Sequence, residues 1–132
     1  RTLRLVPEDK RAWHAGKSHW RGQSGVNALS IGIEIVNPGH EFGYRPFPQE
    51  QMASVLRLLA GISERHPIPI ANVVGHSDVA PTRKQDPGEL FDWEGLAANG
   101  VGLWPRAAAD AIVQSAWRLA AVACTASPRG NK

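Results

Sequence analysis

Apolar and polar residues alternate most regularly over Leu29-Ser30-Ile31-Gly32-Ile33-Glu34-Ile35-Val36. Leu29, Ile31, Ile33 and Ile35 fall on one face and Ser30, Gly32 and Glu34 on the other, the period of a half-buried strand. Asn37-Pro38-Gly39 ends that pattern, and a loop rich in proline and aromatic residues runs to Pro48. From about 49 to 64 the period becomes helical. Met52, Val55, Leu56, Leu59 and Ile62 share one face, while Gln51, Ser54, Arg57 and Glu64 lie away from it. Pro67 and Pro69 close the helix, and a short apolar run from Ile70 to Val74 follows. Strand, helix and strand in this order predict a β-α-β unit with parallel strands and a right-handed crossover. Both strands then deliver their C-terminal ends to one edge of the sheet, where open α/β sheets place their sites.

The flanks carry weaker patterns. Leu3, Leu5 and Val6 alternate before Pro7 and read as a strand remnant. Asp92 is placed to cap a short helix through Ala98, closed by Asn99-Gly100. Residues 106 to 123 put Ala109, Ile112, Val113, Ala116, Trp117 and Ala120 on one helical stripe, with a polar tail from Ser127 to Lys132. The expected fold class is therefore α/β: a mixed central β-sheet flanked by helices 49 to 64 and 106 to 123, with a loop-built cleft at the sheet edge.

Composition narrows this picture only a little. At 132 residues the chain is one domain by length, and 42% hydrophobic with 20% charged residues is ordinary for a soluble globular protein. A net charge of +3 and a pI near 9.5 suit an anionic polymer, but are too weak to single out nucleic acid, which is not expected as a partner. No apolar run reaches the roughly 18–20 residues of a membrane-crossing helix. The single cysteine, Cys124, excludes an intramolecular disulfide and is expected as a buried structural thiol in the last helix. No signal peptide is visible, and a start at Arg1 implies a processed or truncated product.

Candidate chemistry lies in two places. Glu34 points away from the isoleucine face, beside Ser30 and Gly32, whose small size leaves the space a cleft floor needs; a solvated glutamate on an edge strand is the plain alternative. The second place is the run from Gly75 to Gly88, where two prolines and two glycines exclude a regular helix. His76 stands where the preceding strand stops, so its side chain is expected to open onto a cleft. An imidazole at 76 and a carboxylate at 86 suit zinc, which takes nitrogen and oxygen donors at roughly 2.0–2.2 Å. A hydrogen-bonded loop histidine and a turn-capping aspartate are the alternative. Lys84, two residues before Asp86, shares its side if the chain is extended, which sets an ammonium beside the metal. Arg83 either forks onto a substrate carboxylate or is simply exposed. Upstream, the tryptophans of Trp13-His14-Ala15-Gly16 and Trp20-Arg21-Gly22 either line a substrate groove or pack on the core.

Three of these runs, in this order, resemble the zinc-dependent N-acetylmuramoyl-L-alanine amidases, which share a fold with the peptidoglycan-recognition proteins. They are Ala12-Trp13-His14-Ala15-Gly16, then Ser30-Ile31-Gly32-Ile33-Glu34, then His76-Ser77-Asp78-Val79-Ala80-Pro81 with Arg83-Lys84, Asp86-Pro87-Gly88 and Phe91-Asp92-Trp93. The resemblance covers most of residues 1 to 105, which makes these the catalytic domain and leaves 106 to 132 as a terminal helix and tail. It implies hydrolysis of the bond between the lactyl group of N-acetylmuramic acid and L-alanine, with Zn2+ as cofactor and peptidoglycan or muropeptides as partner. It casts Glu34 as the base that acts on the attacking water, Lys84 as the oxyanion stabiliser and His76 and Asp86 as zinc ligands. His14 and Trp20 fall at the cleft edge as substrate-binding residues, with Arg83 toward a stem-peptide carboxylate. Val101-Gly102-Leu103-Trp104-Pro105 resembles the end of the catalytic domain in exported members, which implies the envelope branch that acts on anhydromuropeptides and a periplasmic location. The chain departs from the pattern in one respect. The family's zinc is held by two histidines and an aspartate, and the first histidine comes from a strand upstream of runs that here begin almost at residue 1. The third ligand is therefore expected from an upstream segment of the same precursor. A non-catalytic peptidoglycan-binding module with an incomplete zinc site is the alternative; Glu34 and Lys84 together favour an enzyme, because binding alone needs neither a base nor an oxyanion stabiliser.

Overall fold

The computed structural model describes residues 1–105 and 121–125. In chain order the elements are β1 (His19–Trp20), β2 (Gln23–Ser24), β3 (Ser30–Glu34), α1 (Gln49–Arg65), β4 (Val73–Gly75), α2 (His76–Val79), α3 (Trp93–Ala98) and β5 (Ala121–Thr125). The expected α/β class holds. The central sheet has the order β3-β5-β4, with β5 parallel to both neighbours. Among the described residues antiparallel pairing is confined to the separate β1–β2 ribbon, whose turn places Arg21 and Gly22 at positive φ, as a two-residue hairpin requires.

The sheet is covered on both faces, as parallel sheets are. On one face Ile33, Ile35 and Val73 pack with Val55, Leu59 and Ile62 of α1 and with Leu96 of α3. On the other, Val74 joins Ala15, Val26 and Val79, with Trp20 against them. The alternation of β3 is thus the expected one, with the isoleucines toward α1 and the Ser30, Gly32 and Glu34 face opposite. Helix α1 also lies where its periodicity places it, one residue longer at its end, and Asp92 caps α3 by accepting from the Gly95 amide at 2.8 Å.

Four expectations are corrected. Residues 1 to 10 form no strand: Leu3 and Leu5 are exposed, no neighbouring strand pairs with them, and the chain turns at Pro7 to Lys10 instead. The second strand of the β-α-β unit begins only at Val73, because Pro69 starts a tight turn over Ile70–Asn72. His76–Val79 is a single helical turn, since the prolines that exclude helix come later in the run and the Asp78 carboxylate accepts from the Gly75 amide at 2.7 Å to start it. Finally, Ala121, Val122 and Ala123 do not end a helix: they belong to β5, and so does Cys124. A short, mostly apolar run fits either structure by pattern, and here the edges of β3 and β4 supply backbone partners on both sides. The remainder of the 106-to-123 helix and the tail lie outside the described residues.

Candidate functional site

Strand register brings the predicted residues together. Ile33 and Gly75 both pair with Cys124, so the next residues, Glu34 and His76, leave the sheet at the same edge on either side of β5. With strands about 4.8 Å apart, their backbones stand roughly 10 Å from one another. Glu34 is exposed there and held by its own interactions.

His76 does not open onto a cleft as expected. It is only 3% exposed, because the loop at residues 14 to 17 folds over it. Asn27 holds that loop by accepting from the amides of His14 (3.1 Å) and Ala15 (2.7 Å), and Arg83 clamps its far side by donating to the carbonyls of Ala15 (2.8 Å) and Lys17 (3.0 Å). Arg83 therefore has a local task that neither sequence alternative contained. Its guanidinium lies against Gly16, whose φ of +58 lets the loop turn there.

The imidazole of His76 is fixed from both sides. Nε2 lies 3.2 Å from the Ala15 carbonyl, which can only accept, so Nε2 carries the proton and donates. Nδ1 lies 3.1 Å from Oδ2 of Asp86. Burial raises the pKa of Asp86, but the hydrogen bond with His76, the charge of His76 and that of Lys84 outweigh it and leave the carboxyl below its ordinary value. Replacement of the proton between Nδ1 and Oδ2 by a metal ion would let both atoms present an electron pair to one point. Two zinc ligands with bonds near 2.0–2.1 Å at a tetrahedral centre sit roughly 3.3 Å apart. A ligating histidine also characteristically donates its other N–H to a backbone carbonyl, as His76 does to Ala15. The pair therefore fits two positions of a zinc site. Among the described residues no group of three histidine, cysteine or acidic side chains is placed to hold a metal ion.

His14 sits on the Gly32 face of β3, so close that a Cβ at Gly32 would overlap its ring. Its Nε2 is 2.7 Å from the Ser30 hydroxyl, its Nδ1 is buried without a hydrogen-bond partner, and burial holds its pKa below the ordinary imidazole value. Trp20 packs in the second core and donates its indole N–H to Asn72 at 3.1 Å, the packing alternative of the sequence reading; it lines neither of the clefts beside the site. Those clefts, of about 450 and 260 Å³, share His40, Lys84, Gln85 and Pro87. The larger extends over Ser77, Asp78 and Trp93, the smaller over Arg83 and Asp86, so Lys84 stands where both open.

Only the aromatic content of its loop marks Tyr44 in the sequence. The Tyr44 hydroxyl donates to the Pro87 carbonyl (2.8 Å) and accepts from the Leu90 amide (2.9 Å), and its ring stacks on His40 at 4.2 Å.

The family model described as N-acetylmuramoyl-L-alanine amidase matches residues 1–89. The chain belongs to this family. Among curated relatives it is 46% identical over 112 residues to the N-acetylmuramoyl-L-alanine amidase AmiD of Escherichia coli, an alignment covering 81% of this chain and 41% of AmiD. It is 43% identical over 91 residues to the 1,6-anhydro-N-acetylmuramyl-L-alanine amidase AmpD of E. coli, covering 69% of this chain and 48% of AmpD. The chain thus spans less than half the length of these relatives. Among solved structures, E. coli AmiD in complex with the substrate anhydro-N-acetylmuramic acid-L-Ala-D-γ-Glu-L-Lys superposes with a TM-score of 0.75 at 46% identity, over 81% of this chain and 44% of that one. AmpDh3 of Pseudomonas aeruginosa gives a TM-score of 0.74 at 40% identity, over 80% and 43%. The amidase fold and family expected from the three sequence runs are therefore shown.

Proposed function

We propose that the chain carries the catalytic half of an amidase that hydrolyses the bond between N-acetylmuramic acid and L-alanine in muropeptides. The observation that supports this most is the shared exit of Glu34 and His76 at one sheet edge, with Asp86 against His76 and Lys84 beside them. The co-crystallised anhydromuropeptide of AmiD supplies the substrate class.

Amide hydrolysis needs an activated water, a polarised carbonyl and a positive charge near the oxygen that becomes anionic. Zinc, when bound, would supply Lewis acidity toward both the water and the carbonyl. His76 and Asp86 would hold it, with a third ligand from outside the described residues, on an upstream segment. Glu34 accepts the proton of the attacking water and returns it to the departing amine of L-alanine. Lys84 keeps a fixed ammonium at the mouth of both clefts, where it meets the developing oxyanion. His14, on the Gly32 face of β3, and Arg83, which lines the smaller cleft, border the bound peptide, and Trp20 packs in the core behind them. The ending Gly102-Leu103-Trp104-Pro105 supports a periplasmic site of action, and a purely cytoplasmic pool on fractionation would contradict it.

The test is muropeptide hydrolysis by the full-length protein against Glu34→Ala. Loss of about 10²- to 10⁴-fold in kcat is expected for removing a general base, with hydrolysis abolished by a chelator and restored by zinc. Equal rates for the two proteins would remove Glu34 from the mechanism. The alternative, a binding module with an incomplete metal site, is favoured by the absence of a third ligand among the described residues. It predicts muropeptide binding without turnover whether zinc is added or not.

A further inference from the structure

Residues 86 to 90 carry Asp86 at one end, and nothing within that segment is regular secondary structure to hold it in place. The Ser77 amide holds its first residue by donating to the Asp86 carbonyl at 2.9 Å, and a side chain from a distant loop grips the rest. Tyr44 inserts its hydroxyl between the Pro87 carbonyl and the Leu90 amide and satisfies both. Gly88, at φ +86, makes room for it: a Cβ there would stand 2.5 Å from the Tyr44 hydroxyl and 2.8 Å from the His40 ring.

The other end of Tyr44 is anchored in the core. Its ring meets Phe47 edge-on, Phe47 meets Phe91 at 5.1 Å, and Phe91 meets Trp93 at 4.8 Å, a chain of edge-to-face contacts that reaches from the core to the site loop. His40 covers the opposite face of the Tyr44 ring and reaches back to Glu89 at 2.9 Å. The loop that bears both rings is closed on itself by Asn37, which donates to the Arg45 carbonyl and accepts from the Gly39 amide. A rigid support on one side and two hydrogen bonds on the other are what setting a ligand's orientation requires.

We propose that Tyr44 is a positioning residue for the site: by fixing the path of residues 87 to 90 it sets the orientation of the Asp86 carboxylate toward His76 and the placement of Lys84 over the clefts. This deepens the amidase reading and rests on it.

Tyr44→Phe tests it, because it removes both hydrogen bonds and keeps the ring stack. In the full-length protein a 10- to 100-fold loss is expected in zinc affinity, measured by competition with a chromophoric chelator, and a similar loss in kcat with KM changed less than twofold. The Leu90 amide should exchange faster while the thermal midpoint stays near that of the wild type. Gly88→Ala, which displaces the hydroxyl from the other side, should reproduce the loss in zinc affinity. Zinc affinity and kcat of Tyr44→Phe within twofold of wild type would overturn the proposal, as would a wild-type protein that holds no zinc. A wild type that holds zinc but leaves muropeptides intact would overturn the hydrolase reading instead, and zinc affinity alone then decides for or against the role of Tyr44.

Discussion

At Gly32 the site is built to the width of one hydrogen atom. A methyl group there overlaps the His14 ring, which cannot retreat easily because the His14 amide is tied to Asn27 and Nε2 to Ser30. Gly32→Ala is therefore expected to lower stability by about 1–3 kcal/mol, the usual cost of overpacking. A urea midpoint equal to wild type would show that the ring moves aside freely. Glu34 and Gly32 were legible in the sequence because a period of two fixes which residues share a face. The burial of His76 was not legible, since its cover is the Ala15 carbonyl, sixty-one residues away along the chain. Tyr44 was invisible for the same reason: its partners lie more than forty positions further on.

Among the elements, α1 was readable to within a residue, since five apolar residues at helical spacing cannot be satisfied by a strand. β5 was not, as its five residues follow no period and take their structure from the edges of β3 and β4. The first ten residues were misread because alternation in a short run predicts a strand only where a partner is beside it. What holds them is an ionic clip: Glu8 accepts from Arg65 at 2.7 Å and lies 2.8 Å from Nε2 of His66, at the end of α1. The hydrogen bond from Arg65, and then that from His66, lower the Glu8 pKa from 4.5 to about 2. A carboxyl whose pKa is lowered on folding adds stability that is present above its unfolded value and lost on acidification. The contribution should therefore be complete above pH 4.5 and fade as the pH falls toward 2. Between those limits the urea midpoint of wild type should fall more steeply than that of Glu8→Gln; parallel curves would mean that the clip adds nothing, as many exposed ion pairs do.

For the whole molecule, the parallel sheet matters because it makes the position of the site a consequence of topology. β3 and β4 end at the same edge, which sets Glu34, the last residue of β3, and His76, the first residue after β4, on either side of β5. Three sequence runs in order were enough to name the family, and the structure brings them into contact: His14 lies against Gly32, and the Ala15 carbonyl covers His76. Mass spectrometry of the products formed from an anhydromuropeptide by the full-length protein tests this account most directly. A free sugar bearing its lactyl carboxylate, together with a stem peptide that begins at an unblocked L-alanine amine, is the predicted pair. An intact muropeptide, or cleavage at any peptide bond beyond that alanine, would contradict it.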